Sequence, residues 1–222
     1  MNQPEVVSAE QWQTARDELL VREKEATRAL DALAAARRRL PMVRFDSDYV
    51  FEGAEGKVRL IDLFGDYRQL VLYQFMNIGP DHFCPGCSQF IDNVGRLEHI
   101  QARDATFVAS SNMPWSQIEP FTKRMEWAGR VPFYSSQGST FSEDCGCGGA
   151  GAGLSIFLRD GDEVYRTYFT TDRGLDRMMW HFNILDVLPY GRQEVWEDSP
   201  EGWPQTGTSS WWRLHDEYQT VG

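Results

Sequence analysis

Residues 69–87 read QLVLYQFMNIGPDHFCPGC. The first eight, QLVLYQFM, form an apolar run rich in strand formers. The last four open a helical pattern: residues 85–102 place Phe90, Ile91, Val94, Leu97 and Ile100 at spacings of three and four, one apolar face of a helix. A second apolar run, TFVA at residues 106–109, follows. The stretch therefore predicts a strand–helix–strand unit with Cys84 and Cys87 at the strand-to-helix junction.

Downstream, residues 115–127 predict a further helix with Ile118, Phe121 and Met125 on one side, and residues 131–134 form a short apolar piece. Residues 154–158 and 164–169 flank Asp160-Gly161, a strong hairpin-turn signal. A last helix is predicted over residues 175–188, before Pro189. A parallel unit, then a hairpin, then a terminal helix indicates an α/β protein with a mixed sheet flanked by helices.

Upstream, residues 8–40 read as one long helix, opened by a capping box of Ser8 and Gln11 and stopped by Pro41. At ~1.5 Å per residue it would be about 50 Å long, more than a small domain spans. Trp12, Leu19, Ala26, Leu33 and Leu40 recur every seven residues, and a stripe of that kind needs a cover. A second copy is the expected cover, giving a two-fold homodimer. At the other end, residues 194–218 hold Trp196, Trp203, Trp211 and Trp212, an aromatic content that predicts a packed wrapping tail rather than disorder. The expected organisation is a helical extension over 1–41, one domain over 42–195 and the tail over 196–222.

The 222 residues carry 22 basic and 33 acidic side chains, a formal net charge of −11, which disfavours nucleic acid and anionic membrane surfaces as partners. Arg37, Arg38 and Arg39 fit the negative end of the N-terminal helix dipole. Neither a secretory signal nor an apolar run of membrane-spanning length is visible, so the expected compartment is the reducing cytoplasm. There, four cysteines point to thiol chemistry or metal binding rather than a structural disulfide framework.

A cysteine at a helix N-cap meets free backbone N–H groups and the positive end of the dipole, both of which favour thiolate. That describes Cys84. Pro85 suits the first helical turn because it has no N–H to satisfy. Cys87, three residues on, shares its helix face and is within reach for a disulfide. His82 could stabilise the thiolate when protonated. A second pair, Cys145 and Cys147, lies in the glycine-rich loop 138–153. It is a candidate redox relay to the first pair, or with it a four-thiol zinc or iron–sulfur site. No cofactor is expected for dithiol exchange. His181 reads as a satisfied helix residue, and His99 and His215 as surface.

The C-P-G-C motif at a strand-to-helix junction resembles the thioredoxin-like superfamily over residues 58–188. The segments RLPMVRFDSDYVFEG, CPGC, GLSIFLRDGDEVYRTY, PYGRQEVWEDSPEGWPQ and WWRLHDEY resemble, over nearly the whole chain, a bacterial family of thioredoxin-like proteins that is a domain of unknown function. The resemblance implies a thioredoxin-like fold and a dithiol–disulfide oxidoreductase, with Cys84 attacking and Cys87 resolving. Its substrate would be a disulfide-containing protein or a small-molecule thiol or peroxide. In two places the chain departs from thioredoxins: Gln74 stands near the position of their buried acid, and Ala152-Gly153 where they place a cis-proline. Peroxiredoxins offer a second resemblance, since Pro80-x-x-x-Cys84-x-x-Cys87 matches P-x-x-x-T-x-x-C with Cys84 in place of the threonine. It implies a peroxidase led by Cys87 and assisted by an arginine, for which Arg124, Arg130, Arg159 and Arg166 are candidates.

Overall fold

The computed structural model describes residues 3–218. Helix α1, Ala9–Arg37, is closed at its start by the predicted capping box: the Gln11 N–H donates to Ser8 Oγ at 3.2 Å and the Ser8 N–H to Gln11 Oε1 at 3.0 Å. Its 29 residues give a rod of about 44 Å at ~1.5 Å per residue. None of them is buried, and Trp12 is 58% exposed. At its far end the Arg37 guanidinium lies over the Tyr168 ring, 5.2 Å from its centroid.

The strands are β1 Val43–Phe45, β2 Val50–Gly53, β3 Gly56–Arg59, β4 Gln69–Gln74, β5 Ala105–Ser111, β6 Phe133–Ser135, β7 Gly153–Asp160 and β8 Glu163–Thr170. They form one sheet in the order β1-β8-β7-β4-β5-β6-β2-β3. The predicted QLVLYQFM strand is central. It pairs parallel with β5 from Gln69↔Ala105 to Gln74↔Ser110, and antiparallel with β7 from Gln69↔Leu158 to Gln74↔Gly153. The helices are α2 Pro85–Asp92, α3 Glu98–Gln101, α4 Trp115–Arg124, α5 Phe141–Asp144 and α6 Trp180–Leu185. A parallel β4–α2–β5 unit sharing its sheet with a β7–β8 hairpin that leads to α6 is the thioredoxin-like arrangement.

Alternation along β4 divides the core in two. Leu70 and Leu72 join Phe51, Phe64, Phe141 and Phe157 on one face. Tyr73 and, just beyond the strand, Phe75 join Cys87, Phe90, Phe121 and Trp127 on the other. Each face is filled with rings in edge or stacked contact, including Tyr73 stacked on Phe90 at 4.1 Å between centroids.

Three expectations are corrected. The helix predicted over 85–102 is two helices, α2 and α3, because the Asn93 side chain turns back to the Gln89 carbonyl at 2.6 Å and Gly95 follows, a poor helix former. The helix predicted over 175–188 shrinks to α6, preceded by two 3-10 turns. Met179 is extended there (φ −99°, ψ 111°) and buried, while Asp176 is held at 2.7 Å by Arg192. The sheet is wider than read, because β1, β2 and β3 lack a long apolar run yet complete its edges.

Candidate functional site

After β4 the chain runs on through residues 75–83 and reaches Cys84, the N-cap of α2, in extended conformation (φ −68°, ψ 116°). Pro85 occupies the first turn, as predicted. The approach is fixed by Phe83, whose ring stacks on Phe121 at 3.5 Å between centroids. Cys84 Sγ accepts the Cys87 N–H at 3.4 Å, as an N-cap side chain should. Cys84 is half-buried, whereas Cys87 is 2% exposed and lies in the main core. All four cysteines are free thiols.

The two neighbouring sulfurs are in opposite electrostatic states. The Cys87 thiol donates a hydrogen bond to Cys84 and, with the backbone N–H groups of Cys87 and Gly86, brings the Cys84 pKa down to about 6 against the opposing effect of burial. Burial first, then the hydrogen bond and charge of Cys84, push the Cys87 pKa well above its usual value. Two donors offset part of that cost: the Tyr73 hydroxyl and the Met76 N–H, the latter 3.4 Å from Cys87 Sγ. The pair is therefore asymmetric, with Cys84 biased toward thiolate and Cys87 toward the protonated thiol.

Tyr73 was not legible as a site residue. Gln74 stands near the sequence position of the thioredoxin acid. Gln74 instead points to the opposite face, where its Nε2 donates to Ser142 Oγ at 2.9 Å, and the buried group beside Cys87 is Tyr73. Alternation alone could have indicated this, since Tyr73 shares its face with Val71 and Phe75.

The second pair is differently situated. Cys145 and Cys147 are both buried, which pushes their pKa values up to about 12 and about 11. Arg166 donates to the Cys145 carbonyl at 3.0 Å, and its charge partly opposes the rise at both sulfurs. The Cys147 sulfur packs so close to the backbone of Gly153 that a Cβ there would lie 2.9 Å from it. Among the described residues no three His, Cys, Asp or Glu side chains gather into a group that could hold a metal ion. The four thiols thus do not form the cluster that the zinc or iron–sulfur alternative needs.

His82 is exposed, and the groups acting on the Cys84 thiol are Cys87 and the backbone of the first turn. His181 is satisfied by Asn93 and Gln89, and His215 pairs with Asp92. The four arginines considered for a peroxidase are engaged elsewhere. Arg124 bonds Asp216 and Glu217, Arg130 the Val94 carbonyl, Arg159 the Gly65 carbonyl, and Arg166 the Cys145 carbonyl. The arginines that share a cavity with Cys84 and Cys87 are Arg173 and Arg192.

Fold and site together define a thioredoxin-like domain with a C-P-G-C dithiol at a helix N-terminus. Residues 1–218 match DUF899, a family of bacterial proteins of unknown function, and the chain belongs to that family. Among curated proteins no significant match is found. Of solved structures, the chain is similar to a thioredoxin from Wuchereria bancrofti (16% identity, 61% of this chain and 89% of that one, TM-score 0.39). It is also similar to PrxQ from Xylella fastidiosa (13%, 66% and 97%, 0.41) and to a yeast mitochondrial 1-Cys peroxiredoxin (20%, 59% and 64%, 0.39). No described helix is long and apolar enough to cross a membrane.

Proposed function

We propose that the protein is a thiol–disulfide oxidoreductase of a reducing compartment such as the cytoplasm, with Cys84 as nucleophile and Cys87 as resolving thiol. The observation that carries this reading is the asymmetry of the pair: a half-buried Cys84 that accepts hydrogen bonds from the first turn of α2, beside a buried Cys87 thiol that donates to it. In the reduced protein the Cys84 thiolate attacks a substrate disulfide, and one substrate thiolate leaves. Cys87 then gives up its proton and attacks Cys84 Sγ. The second substrate thiol departs, leaving a Cys84–Cys87 disulfide. Tyr73 and the Met76 N–H, which already face Cys87, stabilise the thiolate that must form briefly in that second step.

The buried, high-pKa Cys87 weighs against a peroxidase that begins there, because thiolate is the reactive form. The pH profile of iodoacetamide alkylation tests the assignment. Cys84 should react with a midpoint near pH 6, and Cys84→Ser should abolish the low-pH phase. Ordinary thiol titration near ~8.5 at both cysteines would remove the basis for the proposal.

A further inference from the structure

The C-terminal segment walls in the dithiol. A cavity of about 610 Å³ opens over Cys84 and Cys87, with Tyr73 and Phe90 in its floor and Trp196 and Trp212 in its outer wall. The Trp212 indole lies directly on Gly86, between the two cysteines, where a Cβ would meet the ring at 2.6 Å. Thioredoxin-type exchange on a folded protein requires the C-P-G-C backbone to be open to the partner's chain. Here an indole packs on that backbone at Gly86.

The wall is pinned on both sides of Trp212. Before it, the buried Glu194 carboxylate accepts from Trp196 Nε1 (2.5 Å), Trp211 Nε1 (2.8 Å) and the Ser209 N–H (2.8 Å). After it, Leu214 is buried in the main core, and Asp216 takes both nitrogens of a fork from Arg124 at 2.7 and 3.0 Å. The buried Glu194 carboxylate, with three donors, and the buried Leu214 side chain hold the segment in place.

Charge narrows the ligand further. The cavity wall carries three carboxylates, Asp172, Asp176 and Glu194, against two guanidiniums, Arg173 and Arg192, leaving one net negative charge. Arg192 is already shared between Asp176 and Asp186 at 2.7 Å each. The Cys84 thiolate adds a second negative charge. The uncharged lining is mainly apolar, with Met76, Leu175, Met179 and the two tryptophans, and adds the hydroxyl residues Thr171, Thr208 and Ser209.

On the dithiol reading given above, we infer that the site takes small, uncharged, largely apolar organic disulfides and excludes both folded-protein disulfides and anionic ones. For a disulfide RS–SR, the Cys84 thiolate forms a bond to one sulfur while the RS–SR bond breaks, and RS⁻ takes up a proton from water. Cys87 loses its proton and displaces the second RS⁻ from Cys84, which likewise leaves as RSH. The substrate gains two electrons and the dithiol loses two.

Pre-reduced intact protein is mixed in single turnover with bis(2-hydroxyethyl) disulfide, glutathione disulfide or insulin, and oxidation is followed by tryptophan fluorescence. Each rate is normalised to that of N-acetylcysteine thiolate with the same disulfide. The uncharged small disulfide should react at least tenfold faster than glutathione disulfide and at least a hundredfold faster than insulin, and Trp212→Ala should raise the insulin rate at least tenfold. The intact-protein comparison stands even if that variant folds poorly. If insulin or glutathione disulfide reacts as fast as the small disulfide, the walled-site proposal is overturned and the dithiol reading survives. If none of the three oxidises the protein, the dithiol reading fails and this inference with it.

Discussion

Replacing Cys87 by alanine isolates the largest cause of the depressed Cys84 pKa. In the native pair the Cys87 thiol donates to Cys84 Sγ, and the backbone N–H groups of Cys87 and Gly86 contribute less. Cys87→Ala removes the first and leaves the backbone donors and the helix terminus. A hydrogen bond to a charged group is worth about 1.5–3 kcal/mol, and ~1.4 kcal/mol corresponds to one pKa unit, so the midpoint should rise by about one to two units. From a starting value of about 6, that places it near pH ~7–8. At pH 6.5 the thiolate fraction would fall from roughly three quarters to between about a quarter and a thirtieth, by the titration arithmetic of such a shift. Cys87→Ser, which retains a donor hydroxyl, should move the midpoint less. The assay is the pH dependence of Cys84 alkylation in a Cys145→Ser, Cys147→Ser background. The midpoint is the quantity compared, because intrinsic nucleophilicity changes with pKa. A Cys87→Ala midpoint that stays near 6 would refute the reasoning and assign the depression to the helix N-terminus alone.

Further outcomes follow from the same geometry. Tyr73→Phe should raise the Cys87 pKa further and slow closure of the Cys84 mixed disulfide several-fold while leaving the first attack unchanged; rapid-quench trapping of the mixed disulfide separates the two steps, and an unchanged closure rate would remove Tyr73 from the mechanism. Stability of the reduced protein should depend on pH with two signs. The depressed Cys84 contributes stability that is present above ~8.5 and lost as pH falls through about 6, whereas the raised Cys87, Cys145 and Cys147 contribute stability that is lost as pH rises above ~8.5. Urea unfolding at pH 6, 8.5 and 10.5 should therefore give its highest midpoint at 8.5, and a monotonic trend would contradict this. We further propose that the exposed α1 stripe is covered by a second copy, so sedimentation at micromolar concentration should give a dimer for the full chain and a monomer for a chain beginning at Pro41. A species of 25.5 kDa for the full chain would show that α1 projects unpartnered.

Features set by neighbours along the chain were readable from the residues alone. The capping box of Ser8 and Gln11, the apolar run of β4, the Asp160-Gly161 turn and the placement of Cys84 at a helix start with Pro85 behind it are all local, because caps, turns and strand periodicity depend on residues within a few positions. Where local signals compete, the sequence was insufficient: the break at Asn93 and Gly95, and the unwinding before α6, were decided by a side chain that turns back on the backbone and by ion pairs from Arg192. The short edge strands β1, β2 and β3 exist because the sheet supplies partners for them. The site divides in the same way. The nucleophile was visible as a motif, but the choice between Cys84 and Cys87 depends on burial, which is a tertiary quantity. Tyr73 under Cys87, the burial of Cys145 and Cys147, and Trp212 on Gly86 join residues far apart along the chain. No local pattern encodes such contacts, since they are fixed only when the two faces of the sheet and the terminal segment close on each other.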